Sequence, residues 1–201
     1  YSSAASDVYK RQTLDREMTT YTGLVTLVQL SAGILGDRNR MSYDAGISYI
    51  RNVFEATRTL QKNPDDLDAR GIIMMGASLS TSSRLGIGKE EPFAYEIYEL
   101  EFLPEKLFGS SYRRSLTSVF PRFLQAMGKH HADDIRKFYH DAFGFDSSIE
   151  ESSRKLVELF EGLGVEMYYD GKITREQVDA IPCHTELSKE EVFDIINSLI
   201  R

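Results

Sequence analysis

Apolar residues recur at spacings of three and four along almost the whole chain, a period that belongs to helices burying one face. Leu14, Met18, Tyr21, Val25 and Val28 open the pattern, which predicts a helix over 13–35 ended by Gly36. Its nearly continuous apolar character calls for burial on most sides. A second helix, with Ser42 as its expected N-cap, carries Ile47, Ile50, Val53, Phe54 and Leu60 on one stripe. It stops before Asn63-Pro64, because proline disfavours helix in the residue before it. Asp65 or Asp66 is placed to cap a third helix running to about Leu85. Here Gly71, Gly76, Ala77, Ser78, Ser80 and Ser82 form a small-sided surface that lets neighbouring helices approach, with Gly76 and Ala77 expected inside.

Beyond a Gly86-Ile87-Gly88 turn, Pro92 suits the first turn of a fourth helix, which Pro104 is expected to end. A fifth, over 111–127, must absorb Pro121, whose missing N–H and ring clash predict a kink. A polar connector over 128–133 leads to three or four further helices. Ser148 with Glu151, Thr174 with Gln177 and Ser188 with Glu191 have the spacing of capping boxes. The strand-like stretch 165–169 is too short and too alone to imply a sheet. With no repeat and no alternating βα pattern, the expected fold class is all-α, a multi-helix bundle.

Composition narrows the partners. Ser2 to Gln12 back-translates to a transposon adapter of the kind used in sequencing-library preparation. Residues 1–12 are therefore read as a cloning or assembly scar, expected to be disordered, and the domain as 13–201. Setting the scar aside removes Lys10, Arg11 and Asp7 and makes the net charge of −7 one unit more negative. So acidic a chain lacks the basic footprint that phosphate backbones require, which argues against nucleic acid. A hydrophobic content of 41% supports a sizeable core, while no apolar run approaches the roughly 18 residues that cross a bilayer. The single Cys183 excludes an internal disulfide and suits a reducing compartment, so a cytoplasmic location is expected.

The order of features between 63 and 121 is more specific than any of them singly. N-P-D-D-L-D-A-R-G-I-I-M-M-G-A-S-L-S leads through G-I-G to F-A-Y-E and then to S-Y-R-R-S-L-T-S-V-F-P. This order resembles the helical, metal-binding C-terminal domain of the iron-containing (group III) alcohol dehydrogenases. The resemblance covers most of the chain after Thr13. It implies a missing N-terminal α/β nucleotide-binding domain, NAD(P)-dependent interconversion of an alcohol and an aldehyde or ketone in the cleft between the two domains, and a possible homo-oligomer. In the family a divalent iron or zinc is held by an Asp and a His one helical turn apart, a His after the Gly-x-Gly turn, and another in a His-Gly-x-x-His segment. Three imidazoles and a carboxylate suit a borderline metal that polarises an alcohol oxygen while hydride leaves to the nicotinamide.

Carried over residue by residue, none of those positions keeps the family's Asp or His. The Asp/His pair falls at Thr20 and Leu24 or, counted without a gap, at Gly23 and Leu27; Asp15 or Asp44 is the nearest acidic substitute. The third ligand falls at Glu96, and the next family histidine at Leu100. The His-Gly-x-x-His segment becomes Phe108-Gly109-Ser110-Ser111-Tyr112, so the last ligand becomes Tyr112. No histidine precedes His130. The resemblance thus implies a scaffold kept and a metal site lost, with no catalytic residue assigned.

Other clusters read as structure. Glu96 belongs to a run with Glu90, Glu91, Glu99, Glu101 and Glu105 that suits a solvated helix face. Tyr95, Tyr98 and Tyr112 suit half-buried packing. His130, His131, Asp133 and Asp134 suit a connector and helix start, where acidic residues favour the dipole. His140 lacks a partner at i±4, and Cys183-His184 is too isolated for a nucleophile and base. Gly86-Ile87-Gly88 has neither a third glycine nor a preceding strand and reads as a C-cap and turn, so no NAD(P)-binding loop is found. Two functions remain: the helical half of a dehydrogenase-like oxidoreductase, metal-free and inactive by itself, or a non-catalytic helical interaction module whose small-residue helix packs on a partner.

Overall fold

The computed structural model describes residues 14–36, 39–81 and 93–201. The scar at 1–12, the Gly86-Ile87-Gly88 turn, Pro92 and the expected end of the third helix near Leu85 lie outside them. The chain divides between Pro92 and Phe93 into two compact units. Among the described residues there are helices and no strand; an isolated parallel bridge joins Tyr169 to Ile200. No helix among them is long and apolar enough to cross a membrane.

The first unit packs three helices, α1 (Arg16–Ile34), α2 (Arg40–Lys62) and α3 (Leu67–Ser80), each against the other two. Asp15 caps α1 by accepting from the Met18 N–H at 2.7 Å. From Thr19 to Ile34 nearly every residue of α1 is buried. Its polar side chains enter the interior by bonding their own helix: Thr26 Oγ1 donates to the Thr22 carbonyl at 2.9 Å and Ser31 Oγ to that of Leu27 at 2.8 Å. Asn39, not Ser42, caps α2, because its side-chain carbonyl already accepts from the Ser42 N–H at 3.2 Å. Asp66 caps α3 through the Ala69 N–H at 2.9 Å. The helix is described to Ser80, where the Ser80 and Thr81 hydroxyls both bond the Ala77 carbonyl.

The second unit begins with a 3₁₀ turn, Phe93–Glu96, followed by α4 (Ile97–Leu100), α5 (Phe102–Phe108), α6 (Tyr112–Met127), α7 (Ala132–Phe143), α8 (Ile149–Glu161), α9 (Arg175–Asp179) and α10 (Lys189–Asn197). Pro104 ends nothing. It occupies the third position of α5, where an N–H would have no acceptor within the helix. The axis of this unit is α6, whose Leu116, Val119, Phe120, Phe123, Leu124 and Met127 are buried against α4, α5, α7, α8 and α10. α6 runs unbroken across Pro121. Two carbonyls beside the proline take additional side-chain donors, that of Ser118 from Arg122 Nη1 at 2.9 Å and that of Pro121 from Ser153 Oγ of α8 at 2.7 Å. Capping boxes close at Thr174/Gln177 and Ser188/Glu191. At Ser148 only half forms, because Arg154 takes the Glu151 carboxylate.

Gly76 is buried as the small-sided surface predicts, whereas Ala77 is half-buried. A Cβ at Gly76 would lie 2.6 Å from Val53 Cγ2 and 3.0 Å from Thr26 Cγ2. Two neighbouring helices therefore close on α3 at that point. Gly76→Leu should overfill the contact and lower the thermal midpoint, costing on the order of 1–3 kcal/mol or more; an unchanged midpoint would place this face outside the packing.

Candidate functional site

Each carried-over position has a defined structural employment. In the first unit Thr20, Gly23, Leu24 and Leu27 are all buried in α1. Thr20 Oγ1 donates to the Arg16 carbonyl at 2.9 Å and accepts from Gln61 Nε2 of α2. A Cβ at Gly23 would run into Thr57 of α2. Leu24 and Leu27 are wholly inside. The acidic substitutes are engaged as well: Asp15 is the α1 cap, and Asp44 pairs with Arg40 at 3.4 Å.

In the second unit Glu96 closes the 3₁₀ turn and is half-buried, not part of a solvated face. Its Oε2 accepts from the Thr185 hydroxyl and, at 3.0 Å, from the Glu186 N–H. Glu99 Oε2 accepts from the His184 N–H at 3.3 Å. Two carboxylates one turn apart thus hold the segment between α9 and α10. His131 joins the same contact, its ring stacked on Phe93 at 4.0 Å and its Nε2 2.5 Å from Glu186 Oε1. His130 Nε2 and Lys129 Nζ each lie 3.3 Å from Glu191 Oε1, and the backbone and hydroxyl of Ser188 with these neighbours lower that carboxyl to about 2. The histidine pair is therefore a connector, His130 tied to α10 and His131 to the segment before it. His140 finds Asp146, at 2.6 Å, beyond the end of its helix.

Cys183 lines a cavity of about 250 Å³ with Val178, Pro182, His184 and Leu187. Burial, then the carboxylates of Glu99 and Glu96, pushes its thiol up to about 11, the opposite of what a nucleophile requires.

The segment at 108–112 is also pinned. Gly109 takes the left-handed conformation at the end of α5, with φ of 64°. Ser110 Oγ and Ser118 Oγ sit 2.9 and 3.1 Å from the Tyr169 hydroxyl, while Phe108 stacks on the Tyr169 ring at 4.7 Å. Arg114 also lies over that ring, 4.4 Å from its centre, and pairs with Glu166 at 2.9 Å. Phe108, Arg114, Glu166 and Tyr169 border a cavity of about 560 Å³ together with Tyr168 and Arg201. Tyr112 opens α6 with 39% of its surface exposed, near enough to Tyr98 to act on it. Burial foremost, then Tyr112, Tyr95 and Glu101, pushes the Tyr98 phenol well above the ordinary tyrosine range, so it stays protonated. Among the described residues no three His, Cys, Asp or Glu side chains are grouped to hold a metal ion.

Solved structures place this arrangement. Butanol dehydrogenase A of Thermotoga maritima, NADH-dependent, superposes with a TM-score of 0.80 at 18% identity, over 95% of this chain and 54% of that one. The fold is that of the C-terminal half of the iron-containing alcohol dehydrogenases. An iron-containing alcohol dehydrogenase of the same organism matches at 0.69 and 15% identity, over 94% and 50% of the two chains. Maleylacetate reductase of Rhizobium sp. strain MTP-10005 matches at 0.70 and 15%, over 94% and 54%. The chain spans about half the length of these structures. No protein-family model and no curated sequence matches it.

Two features escaped the sequence. Tyr169, from the strand-like stretch, anchors the 108–118 region through its ring and hydroxyl, and Glu101 is buried rather than solvated, with 4% of its surface exposed. Neither leaves a local signal, since Tyr169 lies 59 residues from Ser110. Glu101 differs from its neighbours because three short helical pieces, not one helix, cover 93–108. If Glu96 holds the 183–187 segment, Glu96→Ala should speed labelling of Cys183 by a disulfide reagent severalfold, by freeing the segment and removing a charge that raises the thiol. Unaltered labelling would show that the segment stands without it.

Proposed function

We propose that this chain is the helical half of a dehydrogenase-like oxidoreductase that works on alcohols, aldehydes or ketones with NAD(P), and that its metal positions have been given over to packing and tethering. The observation that carries this reading is the Glu96 carboxylate, the one metal-competent side chain among the carried-over positions, occupied by the Thr185 hydroxyl and the Glu186 N–H. The other positions do not fit iron or zinc. Leu24 has no donor atom, Thr20 Oγ1 is spent between Arg16 and Gln61, and Tyr112 offers a phenol where a borderline metal prefers imidazole. No step through a metal follows from these residues. The chain supplies one wall of a cleft; its partner in this reading is an α/β nucleotide-binding domain, with a homo-oligomer and a cytoplasmic location proposed by analogy with the family.

A second reading, a helical interaction module, draws on Met41, Leu67 and Met75, exposed at 84%, 50% and 63% in the first unit. The two differ in what the full protein must contain. An α/β domain with a Gly-Gly-Gly-Ser type loop belongs to the first, and another domain type to the second.

Elemental analysis of the dialysed full protein should find no stoichiometric iron or zinc, and about one metal per chain would overturn the degenerate-site reading. Titration of 13–201 with NADH, followed by nicotinamide fluorescence, should show no saturable binding. Turnover of short alcohols or aldehydes should stay at background with or without added iron or zinc; metal-stimulated turnover by this chain alone would contradict the proposal.

A further inference from the structure

Glu101 sits where α4 meets α5, serving as the C-cap of one and the N-cap position of the other without a side-chain capping bond. It is 96% withdrawn from solvent between Leu100 and Leu103, which are wholly buried, and its Oε2 has no hydrogen-bond partner. Leaving an ionised oxygen in such a place is costly. One turn further along, the Glu105 carboxyl lies close enough to act on that of Glu101 and raise it. Two neighbouring carboxyl groups cease to repel when one of them carries a proton.

Among the described residues no cation relieves the pair, and Glu105 is the charged group that acts on Glu101. On the same element Lys106 lies over the Phe102 ring at 5.7 Å. On α6, Arg113 is exposed, Arg114 is paired with Glu166 at 2.9 Å, and Arg122 bonds the Ser118 carbonyl. On α9, Arg175 is 2.7 Å from Glu190, and Glu176 and Asp179 are themselves acidic. The titratable neighbours toward α4, α6 and the 3₁₀ turn are Tyr98, Tyr112 and Tyr95, with phenols that carry no positive charge.

We propose that Glu101 and Glu105 hold one proton between them and that its loss loosens the α4–α5 corner, making this part of the fold a pH-sensitive latch. The corner carries Glu96, Glu99 and Tyr98, so loosening it slackens the hold on the 183–187 segment. Burial, then Glu105, raises the Glu101 carboxyl from 4.5 to about 8. A group whose pKa is raised on folding binds more protons in the folded state. Its stabilisation is therefore complete below about pH 4.5 and is lost as pH rises through about 8.

Glu101→Gln keeps the shape and removes the titration, so thermal denaturation of the full chain and of this variant at pH values from about 5 to about 9 tests the latch. The two midpoints should lie closest at the acid end, with the wild type falling several degrees behind the variant at the alkaline end. Hydrogen exchange of the 97–108 amides, corrected for intrinsic rates, should accelerate with pH in the wild type and not in Glu101→Gln. Should that variant fold poorly, Glu105→Gln should shift the wild-type fall toward higher stability at alkaline pH, because it removes the repelling carboxylate. A midpoint difference constant across the range, or identical exchange in the wild type and either variant, would overturn the proposal.

Discussion

A half-buried carboxylate holds what donates to it, and the joining of the 183–187 segment to the start of the second unit turns on the donors Glu96 finds. The 3₁₀ turn that carries it is short, and its oxygen reaches a hydroxyl and a backbone N–H across 89 residues of sequence. Hydrogen bonds to an ionised acceptor are among the stronger ones, worth about 1.5–3 kcal/mol each. Glu99, Phe93 and His131 extend the contact, so the segments that begin and end this unit are joined through side chains as well as through the α6 core. Such a carboxylate is committed, and a metal at this position would have to outcompete both donors.

The same economy applies across the other positions. Thr20 ties α1 to α2, Gly23 lets Thr57 approach, and Leu24 fills the interior between them. The 108–112 segment ends on Tyr169, held by two serine hydroxyls and flanked by Phe108 and Arg114. Buried polar groups at such positions must be packed or satisfied. Here apolar residues, hydroxyls and a tethered carboxylate occupy them in a fold shared with half the length of the iron-containing alcohol dehydrogenases.

Helix existence was legible because periodicity is local. The stripe Ile47, Ile50, Val53, Phe54, Leu60 is α2, and Asp66, Ser188 and Thr174 cap where their spacing says they should. Boundaries were less so, since Asn39 outran Ser42 for the cap of α2. Pro104 misled because a proline that seems to end one helix serves equally well in the first turn of the next. The candidate site was hardest: the fates of Glu96, Glu101 and Tyr169 depend on contacts 59 to 90 residues distant or on the break of one helix into three, and neither is written in local sequence.

The central claim is that Glu96 acts as a tether, and a double-mutant cycle between Glu96 and Thr185 reads it most directly. Unfolding free energies of the parent, Glu96→Gln, Thr185→Val and the double variant give the coupling between the two side chains. The account predicts a favourable coupling of about 1 kcal/mol or more, as expected for a hydrogen bond to a half-buried carboxylate. Additive effects, with no coupling beyond about 0.3 kcal/mol, would contradict it.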